Sequence, residues 1–338
     1  MTKKILVVGP SWVGDMVMAQ SLFKLMKKSA IDIELDVLAP MWSLPVLQRM
    51  PEVNQIIPLP LTHGQFGLRT RWAVAKQLRL ANYAQAVVLA NSWKSALIPW
   101  LAKIPIRTGW LGEMRWGLLN DVRYLNKNKL PQMVQRYAAL GLPAQQDLPS
   151  DLPTPQLLAP AYAVAATLQK FNLDVSRPIL ALCPGAAYGP AKRWPEEYFA
   201  KIATDKLAQG WQVWLFGSQQ DVVVINKIQS VLDQPSISFA GKINLLETID
   251  LLSNASAVVT NDSGLLHISA SLNKPLVAIY GSTSATFTPP LGIKSKVLQE
   301  QLACRPCFKR ECPLQHMQCM HKIKPERVLQ AIAELEEI

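Results

Sequence analysis

Near its start the sequence reads Lys3-Lys4-Ile5-Leu6-Val7-Val8-Gly9-Pro10-Ser11-Trp12-Val13-Gly14-Asp15, and this stretch decides the fold. It predicts a buried strand, a tight glycine turn and the first turn of a helix, which together open a doubly wound α/β sheet. Ligands bind such sheets at the carboxyl ends of the strands. Asp15 stands at that point and can act as a base; alternatively it only caps the helix, where aspartate is favoured.

The glycine spacing argues against two common nucleotide sites. Ser11 occupies the position where a dinucleotide fingerprint needs its middle glycine, and no Gly-Lys-Ser/Thr sequence follows Gly14, as a P-loop requires. Both the dehydrogenase and the ATPase interpretation are therefore weakened.

Short apolar runs alternate with amphipathic stretches along the chain, which is typical of parallel sheets with crossover helices. Strands are predicted at Ile5–Val8, Ile33–Leu38, Gln55–Ile57, Ala86–Leu89, Ile179–Cys183, Gln212–Phe216, Ser236–Phe239, Ala257–Thr260 and Leu276–Tyr280. Helices of the second half are predicted at 195–209, 219–232, 245–253, 264–271 and 325–338.

Five prolines lie between Pro143 and Pro160, where neither a helix interior nor a central strand can form. This segment predicts the linker between an N-terminal domain, residues 1–160, and a C-terminal domain, residues 161–338. The predicted fold class is α/β, with two Rossmann-like doubly wound domains that face each other across a cleft. The last helix, Pro325–Ile338, is a candidate to pack back on the first domain.

Positive charge is concentrated in one part of the 338-residue chain, whose net charge is +11. The segment Leu61–Arg136 contains twelve Lys and Arg residues against only Glu113 and Asp121, a net charge of +10. Such a segment indicates an acidic partner (nucleic acid, anionic lipid or a phosphorylated substrate), or else a solvated basic surface. Most of its five tryptophans are expected in the core.

No apolar stretch is long enough to span a bilayer, because Pro99, Lys103 and Pro105 interrupt the longest, Ala96–Ile106. The residues before Gly9 predict a first strand rather than a signal peptide. A cytosolic location is therefore expected.

Two further polar turns follow predicted strands. At Asn261-Asp262-Ser263-Gly264-Leu265, the N–H groups of a helix N-terminus can hold a diphosphate; an Asn-Asp helix cap is the alternative. The Gly- and Pro-rich loop 183–194 carries Lys192 and Arg193, which can neutralise a leaving diphosphate or simply be solvated. His267 lies early in the same helix, beside the possible diphosphate site. The alternative is that this single histidine has a purely structural role.

Four cysteines follow within sixteen residues, in the pattern Cys304-x2-Cys307-x4-Cys312-x6-Cys319, with His316 and His321 nearby. In a cytosolic chain this favours a structural zinc over disulfides, although the cysteine pairs of a zinc finger usually lie farther apart. No catalytic role is assigned to the cluster.

Several motifs in this order resemble one family of sugar transferases. The motifs are Lys4–Met16, Asn91–Ala96, Arg107–Trp110, Gly117–Asp121, Pro184–Trp194, Phe216–Ser218 and Thr260–Leu265. From Lys3 to about Pro290 the chain is similar to the ADP-heptose:lipopolysaccharide heptosyltransferases, glycosyltransferase family 9, and most of all to the type II enzymes. The resemblance implies a GT-B fold and transfer of L-glycero-D-manno-heptose from ADP-heptose to the first heptose of the inner core. It also implies inversion, with no obligatory metal and no required cofactor.

The resemblance implies roles for individual residues. Asp15 is similar to the catalytic base, and Lys192 to the lysine near the donor phosphates and sugar. The implied donor-binding positions are Gly14, Asp221 (where related enzymes use glutamate), Ile243, Asp262, Ser263, Gly264, Leu265 and His267. The basic segment Leu61–Arg136 supplies the candidate acceptor-binding positions Lys94, Arg107 and Arg115, because the implied acceptor carries carboxylates and phosphates.

The implied partners are ADP-heptose, a heptosyl-Kdo2-lipid A acceptor and the inner face of the cytoplasmic membrane, where the protein is peripheral; nucleic acid is not among them. Three other interpretations stay open. They are a type I enzyme or a GT-B enzyme for another nucleotide sugar, a nonhydrolysing epimerase of similar fold, and a basic nucleic-acid-binding Rossmann protein. The last explains the charge but not Asp15, Lys192 and Asp262 at three strand ends.

Overall fold

The computed structural model describes residues 3–29, 32–62 and 64–337. By their internal contacts these residues form two compact units, which meet in sequence between Gln156 and Leu157. That point lies inside the proline-rich segment 143–160.

The first unit is a parallel sheet with helices. Its strands are β1 Lys3–Val8, β2 Ile33–Pro40, β3 Gln55–Leu59, β4 Gln85–Val88, β5 Ile106–Trp110 and β6 Asp121–Arg123. Its helices are α1 Val13–Ser29, α2 Leu44–Leu47, α3 Leu68–Leu78, α4 Trp93–Leu101 and α5 Met133–Ala139, with short 3-10 helices at Met41–Ser43 and Arg79–Ala81. Neighbouring strands all pair in parallel, in the order β3-β2-β1-β4-β5-β6.

The second unit is built in the same way. Its strands are β7 Ile179–Cys183, β8 Gln212–Leu215, β9 Ile237–Ser238, β10 Ala257–Asn261, β11 Leu276–Tyr280 and β12 Ser295–Gln299. Its helices are α6 Ala161–Lys170, α7 Glu196–Ala208, α8 Val222–Gln229, α9 Leu245–Leu252, α10 Gly264–Ser271, α11 Gln318–His321 and α12 Pro325–Glu336, with 3-10 helices at Pro190–Lys192 and Gln219–Asp221. The order of its parallel strands is β12-β11-β10-β7-β8-β9.

Both sheets have the Rossmann strand order, 3-2-1-4-5-6, when the strands of each unit are counted separately. In each sheet the chain adds strands on one side and then returns to the other side. A crevice opens at the carboxyl ends of the two strands where this direction changes: β1 and β4 in the first unit, β7 and β10 in the second. The predicted fold class, α/β with two doubly wound Rossmann-like domains, is confirmed.

The central strands are apolar runs because helices cover both faces of each sheet. β7 and β11, for example, are buried along their whole length. The final helix α12 inserts Val328, Ile332 and Leu335 into the core that contains Val259 of β10. This apolar face is buried within the second unit, where α12 packs on α7 and β11.

All nine predicted strands are present, but the sequence does not predict β5, β6 and β12. β5 carries Arg107, Thr108 and Gly109 in its middle, and β6 and β12 are edge strands with half-buried polar residues. None of the three shows the apolar run that marks a buried strand.

The tryptophans of the basic segment do not lie mostly in the core, as the sequence suggested. Trp72, Trp93, Trp100 and Trp116 are 55%, 40%, 46% and 57% exposed, whereas Trp110 is 8% exposed. Helices α3 and α4 use smaller side chains such as Ala75 and Ala96 against the sheet, which leaves their tryptophans outside. Among the described residues, no helix combines the length and the apolar character needed to cross a bilayer.

Candidate active site

A pocket of about 470 Å³ opens at the carboxyl end of the first unit's sheet. Residues that follow β1, β2, β3, β4 and β5 line it, together with α5, so the pocket includes the crevice between β1 and β4. Asp15 and Lys94 both belong to its wall, whereas Arg107 and Arg115 do not. Doubly wound sheets bind their ligands at this position.

Asp15 lies in the first turn of α1, where the helix dipole favours a negative charge. Tyr137, on the adjacent helix α5, is buried and hydrogen-bonded to the Asp15 carboxylate. Burial, together with the negative charge of Asp15, raises the pKa of Tyr137 well above 10.0. The tyrosine hydroxyl therefore stays protonated and donates to Asp15. This leaves a fixed carboxylate in the pocket wall that is able to accept a proton.

Cations and aromatic rings form part of this wall. Arg71 is 7% exposed and stiffens the wall by donating to the backbone oxygen of Lys94 at 3.0 Å. Arg136 and Lys94 also line the pocket. Trp12 and Trp42 are 44% and 39% exposed and line it as well. Aromatic faces beside cations can receive the apolar face of a sugar and bind its carboxylate or phosphate substituents.

Two arginines that the sequence assigns to the acceptor support the backbone instead. Arg107 lies near the amino end of β5, opposite the pocket, and its guanidinium donates to two backbone carbonyls at 2.7 and 2.6 Å. Arg115 is fully buried and donates to the backbone oxygens of Ala90, at 2.6 Å, and Trp110. Both carbonyls lie where a strand ends and a pocket loop begins, after β4 and β5 respectively. Arg115 therefore holds these two loops from within the core and does not face the pocket.

In the second unit, a buried ion pair stands where β7 and β10 end. Lys192 Nζ lies 2.6 Å from Oδ2 of Asp262, and the two side chains are 13% and 6% exposed. Thr283, in the loop after β11, donates its hydroxyl to the same Oδ2 at 2.5 Å. The Lys192 ammonium also lies 4.9 Å from the ring centroid of Tyr188. A preorganised cation in such a dry position interacts strongly with an anionic ligand.

The N-terminus of α10 adds backbone donors beside this pair. Ser263 has extended backbone angles, φ −142° and ψ 178°, and its side chain accepts no N–H from the first turn. The N–H groups of Gly264 and Leu265 therefore keep their capacity to bind an anion. Burial lowers the pKa of His267 from 6.5 to about 4; Lys192 reinforces the shift and Asp262 opposes it. The His267 imidazole is thus neutral at pH 7 and supplies no positive charge.

The remaining predicted donor positions differ in their surroundings. Asp221 is buried, and its Oδ2 accepts the N–H and the hydroxyl of Ser218 at 2.9 and 2.7 Å. A Cβ on Gly185 would lie 2.5 Å from this carboxylate, so Asp221 packs the loop after β8 against the loop after β7. Its implied contact with a ribose stays a prediction. Ile243 is half-buried just before α9, and Gly14 is buried in the first turn of α1, in the first unit.

The cysteine-rich segment gives the zinc hypothesis no geometric support. All five cysteines are unpaired. Within residues 3–29, 32–62 and 64–337, no three or more His, Cys, Asp or Glu side chains are arranged to hold a metal ion.

The sequence does not reveal Tyr137 and Thr283, which contact the two carboxylates of the candidate site. Tyr137 is far from Asp15 along the chain, and nothing local distinguishes it from a core tyrosine. Thr283 has one usable signal: Gly281-Ser282-Thr283 directly follows the predicted strand Leu276–Tyr280. Polar residues at the carboxyl end of a buried parallel strand are candidates for the ligand crevice.

Comparison with known proteins identifies the family. A family model described as glycosyltransferase family 9 (heptosyltransferase) matches residues 71–318. The chain is 44% identical over 338 residues to lipopolysaccharide heptosyltransferase 2 of Escherichia coli strain K12, with 97% of each protein covered. It is 47% identical over 308 residues to lipooligosaccharide heptosyltransferase 2 of Haemophilus influenzae, with 87% of this chain and 88% of that protein covered.

A solved structure agrees with these relatives. The E. coli ADP-heptose lps heptosyltransferase II superposes with a TM-score of 0.89 at 43% identity, and 98% of each chain is covered. The similarity thus extends over both six-stranded units. The chain belongs to glycosyltransferase family 9, the heptosyltransferases.

Proposed function

We propose that this protein transfers L-glycero-D-manno-heptose from ADP-heptose to the first heptose of the lipopolysaccharide inner core, with inversion at the anomeric carbon. The observation that carries the proposal is 44% identity, over 97% of the chain, to a lipopolysaccharide heptosyltransferase 2. The arrangement of polar groups at the two strand crevices supports the same chemistry.

The first unit supplies the base. Asp15 accepts the proton of the acceptor hydroxyl, and the hydroxyl oxygen then attacks the anomeric carbon of the donor. Attack comes from the face opposite the nucleotide, which inverts the configuration. Tyr137 holds the carboxylate by donating to it, so Asp15 is oriented before the acceptor arrives.

The second unit handles the donor. The bond between the anomeric carbon and the diphosphate oxygen breaks, and its electron pair stays on the departing ADP. Lys192 and the N–H groups of Gly264 and Leu265 stabilise this charge, a task for which a metal is not obligatory in our proposal. Asp262 binds the heptose hydroxyls through Oδ1, because both Lys192 and Thr283 occupy its Oδ2.

The acceptor carries carboxylates and phosphates, and the basic segment Leu61–Arg136 matches them in charge. Within it, Lys94 and Arg136 line the pocket and bind the charged sugars in this proposal. Trp12 and Trp42 provide surfaces for the sugar rings.

The same segment provides a surface for a peripheral contact with the inner face of the cytoplasmic membrane. Leu68 and Trp72 on α3 are 53% and 55% exposed, and Lys76 Nζ lies 5.8 Å from the Trp72 ring centroid. Exposed apolar side chains among cations are typical of helices that lie on anionic lipid. Trp72→Ala should weaken sedimentation with anionic vesicles, whereas Tyr162→Ala, at an exposed aromatic in the second unit, should not. Equal sedimentation of the wild-type protein and both variants would exclude Trp72 from the contact, and a wild-type protein that does not sediment with the vesicles would remove the membrane from the proposal.

Mass spectrometry of the acceptor after incubation with ADP-heptose tests the central claim. We expect a mass increase of one heptose, the opposite anomeric configuration in the product by NMR, and unchanged activity after treatment with a chelator. UDP- and GDP-sugars are the competing donors, and preferential transfer from either would assign the enzyme to another nucleotide sugar.

Replacement of the base tests the mechanism. Asp15→Asn should retain ADP binding and lose about a hundredfold or more in turnover, as expected for loss of a general base. Asp147→Asn is a matched control, because Asp147 is an exposed aspartate of the same unit that pairs with Lys129. Nearly normal turnover of Asp15→Asn would reduce Asp15 to a helix cap.

A further inference from the structure

The segment between Cys304 and Cys319 has no part in the mechanism above, yet it contacts the loops that carry the donor groups. From Arg305 to Arg310 it forms neither helix nor strand. We call Arg305–Arg310 the clasp, because its contacts divide between two loops of the second unit. These are the loop after β7, which carries Lys192, and the loop after β11, which carries Thr283.

One side of the clasp holds the loop after β11. The Arg305 guanidinium donates from Nε to the backbone oxygen of Gly281 at 2.5 Å and from Nη2 to that of Thr283 at 3.0 Å. Its Nη1 donates to the backbone oxygen of Glu300. The Phe308 N–H donates to the Ser282 oxygen at 2.8 Å. Every carbonyl from 281 to 283 is therefore bound by the clasp.

The other side holds the loop after β7. The Tyr188 hydroxyl donates to the Phe308 oxygen at 2.7 Å, and the Ala191 N–H donates to the Arg310 oxygen at 2.9 Å. Gly189 lies so close that a Cβ there would stand 2.5 Å from the Arg310 oxygen. Ala191 immediately precedes Lys192, so this contact fixes the backbone from which the lysine side chain extends.

Side chains from both loops bind the same atom, Oδ2 of Asp262. Lys192 approaches it at 2.6 Å and Thr283 at 2.5 Å. A small shift of either loop breaks one of these contacts, because hydrogen bonds weaken steeply beyond their normal length. The clasp contacts both of these loops as well.

We propose that the clasp positions Lys192 and Thr283 on Asp262, and that Arg305 is a positioning residue for heptosyl transfer. Arg305 acts through the loop after β11, whose carbonyls it holds, and not through contact with substrate or reacting atoms. Its planar fork reaches three carbonyl oxygens, a geometry that a lysine ammonium cannot reproduce. This proposal rests on the proposed function, which assigns Lys192 and Asp262 to the donor.

Arg305→Gln and Arg305→Lys should both lower kcat/KM for ADP-heptose and the affinity for ADP by about tenfold to a hundredfold. This is the range for loss of hydrogen bonds made by a charged group. The KM for the acceptor should not change, because Arg305 and the acceptor residues lie in different units. Thr283→Val should give the same pattern, and Thr283→Ser should restore most of the loss because it keeps the hydroxyl.

Arg327→Gln is the matched control. Arg327 is 46% exposed, and its guanidinium binds the carboxylate of Glu300, 2.6 Å away. It should match the wild-type protein in ADP affinity and turnover. Melting temperatures identify any variant that loses activity by unfolding, and the Thr283 pair tests the proposal even if both Arg305 variants unfold.

A double-mutant cycle separates positioning from general damage. If Arg305 acts through Thr283, Arg305→Gln should cost little more in the Thr283→Val background. Additive losses, or full donor affinity in Arg305→Gln and Thr283→Val, would overturn the proposal. Calorimetry with ADP needs no turnover, so the clasp can be tested even if the protein proves to transfer another sugar.

Discussion

Removal of a single hydroxyl, in Tyr137→Phe, gives the sharpest test of how the base is held. Tyr137 is 5% exposed, and its hydroxyl is hydrogen-bonded to Asp15. Phenylalanine preserves the ring and its packing between α1 and α5. The variant therefore removes the hydrogen bond with little other change.

The size of the effect follows from the charge of the Asp15 carboxylate, which accepts the hydrogen bond from Tyr137. A hydrogen bond to a charged group contributes about 1.5–3 kcal/mol, and one pH unit corresponds to about 1.4 kcal/mol. The bond favours the ionised carboxylate, so its loss makes the proton harder to remove. The acid limb of the kcat/KM profile for the acceptor should move to higher pH by about one to two units.

The assay is kcat/KM for the acceptor at saturating ADP-heptose, measured from about pH 5 to about pH 9. The variant should lose most activity on the acid side and approach the wild-type rate on the alkaline side, with ADP affinity unchanged. Tyr124→Phe, at a tyrosine that is 70% exposed in the same unit, should leave the profile unchanged. An unshifted acid limb, or an equal loss at every pH, would refute the role of Tyr137 as donor to the base.

Further predictions concern the titratable side chains of Lys192, Lys94, Arg115 and His267. Lys192→Ala should lower the affinity for ADP by about tenfold to a hundredfold in titration calorimetry, and an unchanged affinity would make Lys192 a structural partner of Asp262 alone. Lys94→Ala should raise the KM for the acceptor and leave ADP binding unchanged. Arg115→Ala should instead lower the free energy of unfolding by about 3 kcal/mol or more, because it removes a fully buried side chain and its hydrogen bonds to two backbone carbonyls. Urea titration distinguishes the two outcomes, and the reverse pattern would contradict both assignments. The pKa of His267 is about 4 in the folded protein and 6.5 ordinarily, so the fold favours the neutral imidazole. Its contribution of about 3 kcal/mol to the free energy of unfolding is complete above pH 6.5 and is lost as the pH falls to about 4. His267→Gln should therefore lose less stability over that pH range, and parallel urea curves would contradict the burial of a neutral imidazole.

The places where sequence reasoning succeeds have a common physical cause. A buried parallel strand is an apolar run, and the residue that ends it must turn the chain toward the ligand crevice. Asp15, Lys192 and Asp262 all follow such runs, so their positions could be predicted without coordinates. β5 and β12 could not, because polar residues interrupt their few apolar ones and their pairing with neighbouring strands is a tertiary contact that no local run reveals.

Arginine residues show most clearly what cannot be predicted from the sequence. Arg115 has no local sign of burial, because its partners are carbonyls at the ends of β4 and β5 that only the folded sheet brings together. It was therefore indistinguishable from Lys94, which does line the pocket. Tyr137 and Thr283 raise the same difficulty, since each contacts its aspartate through tertiary structure alone.

The repeated strand order has a consequence for how such an enzyme can change over time. Each six-stranded sheet pairs only strands of its own unit, and each unit has its own buried core. Under the proposed function, substitutions in the loops after β1, β2 and β3 can therefore alter acceptor preference while the loops after β7 and β10 stay intact. Acceptor preference and donor preference can then change independently of each other.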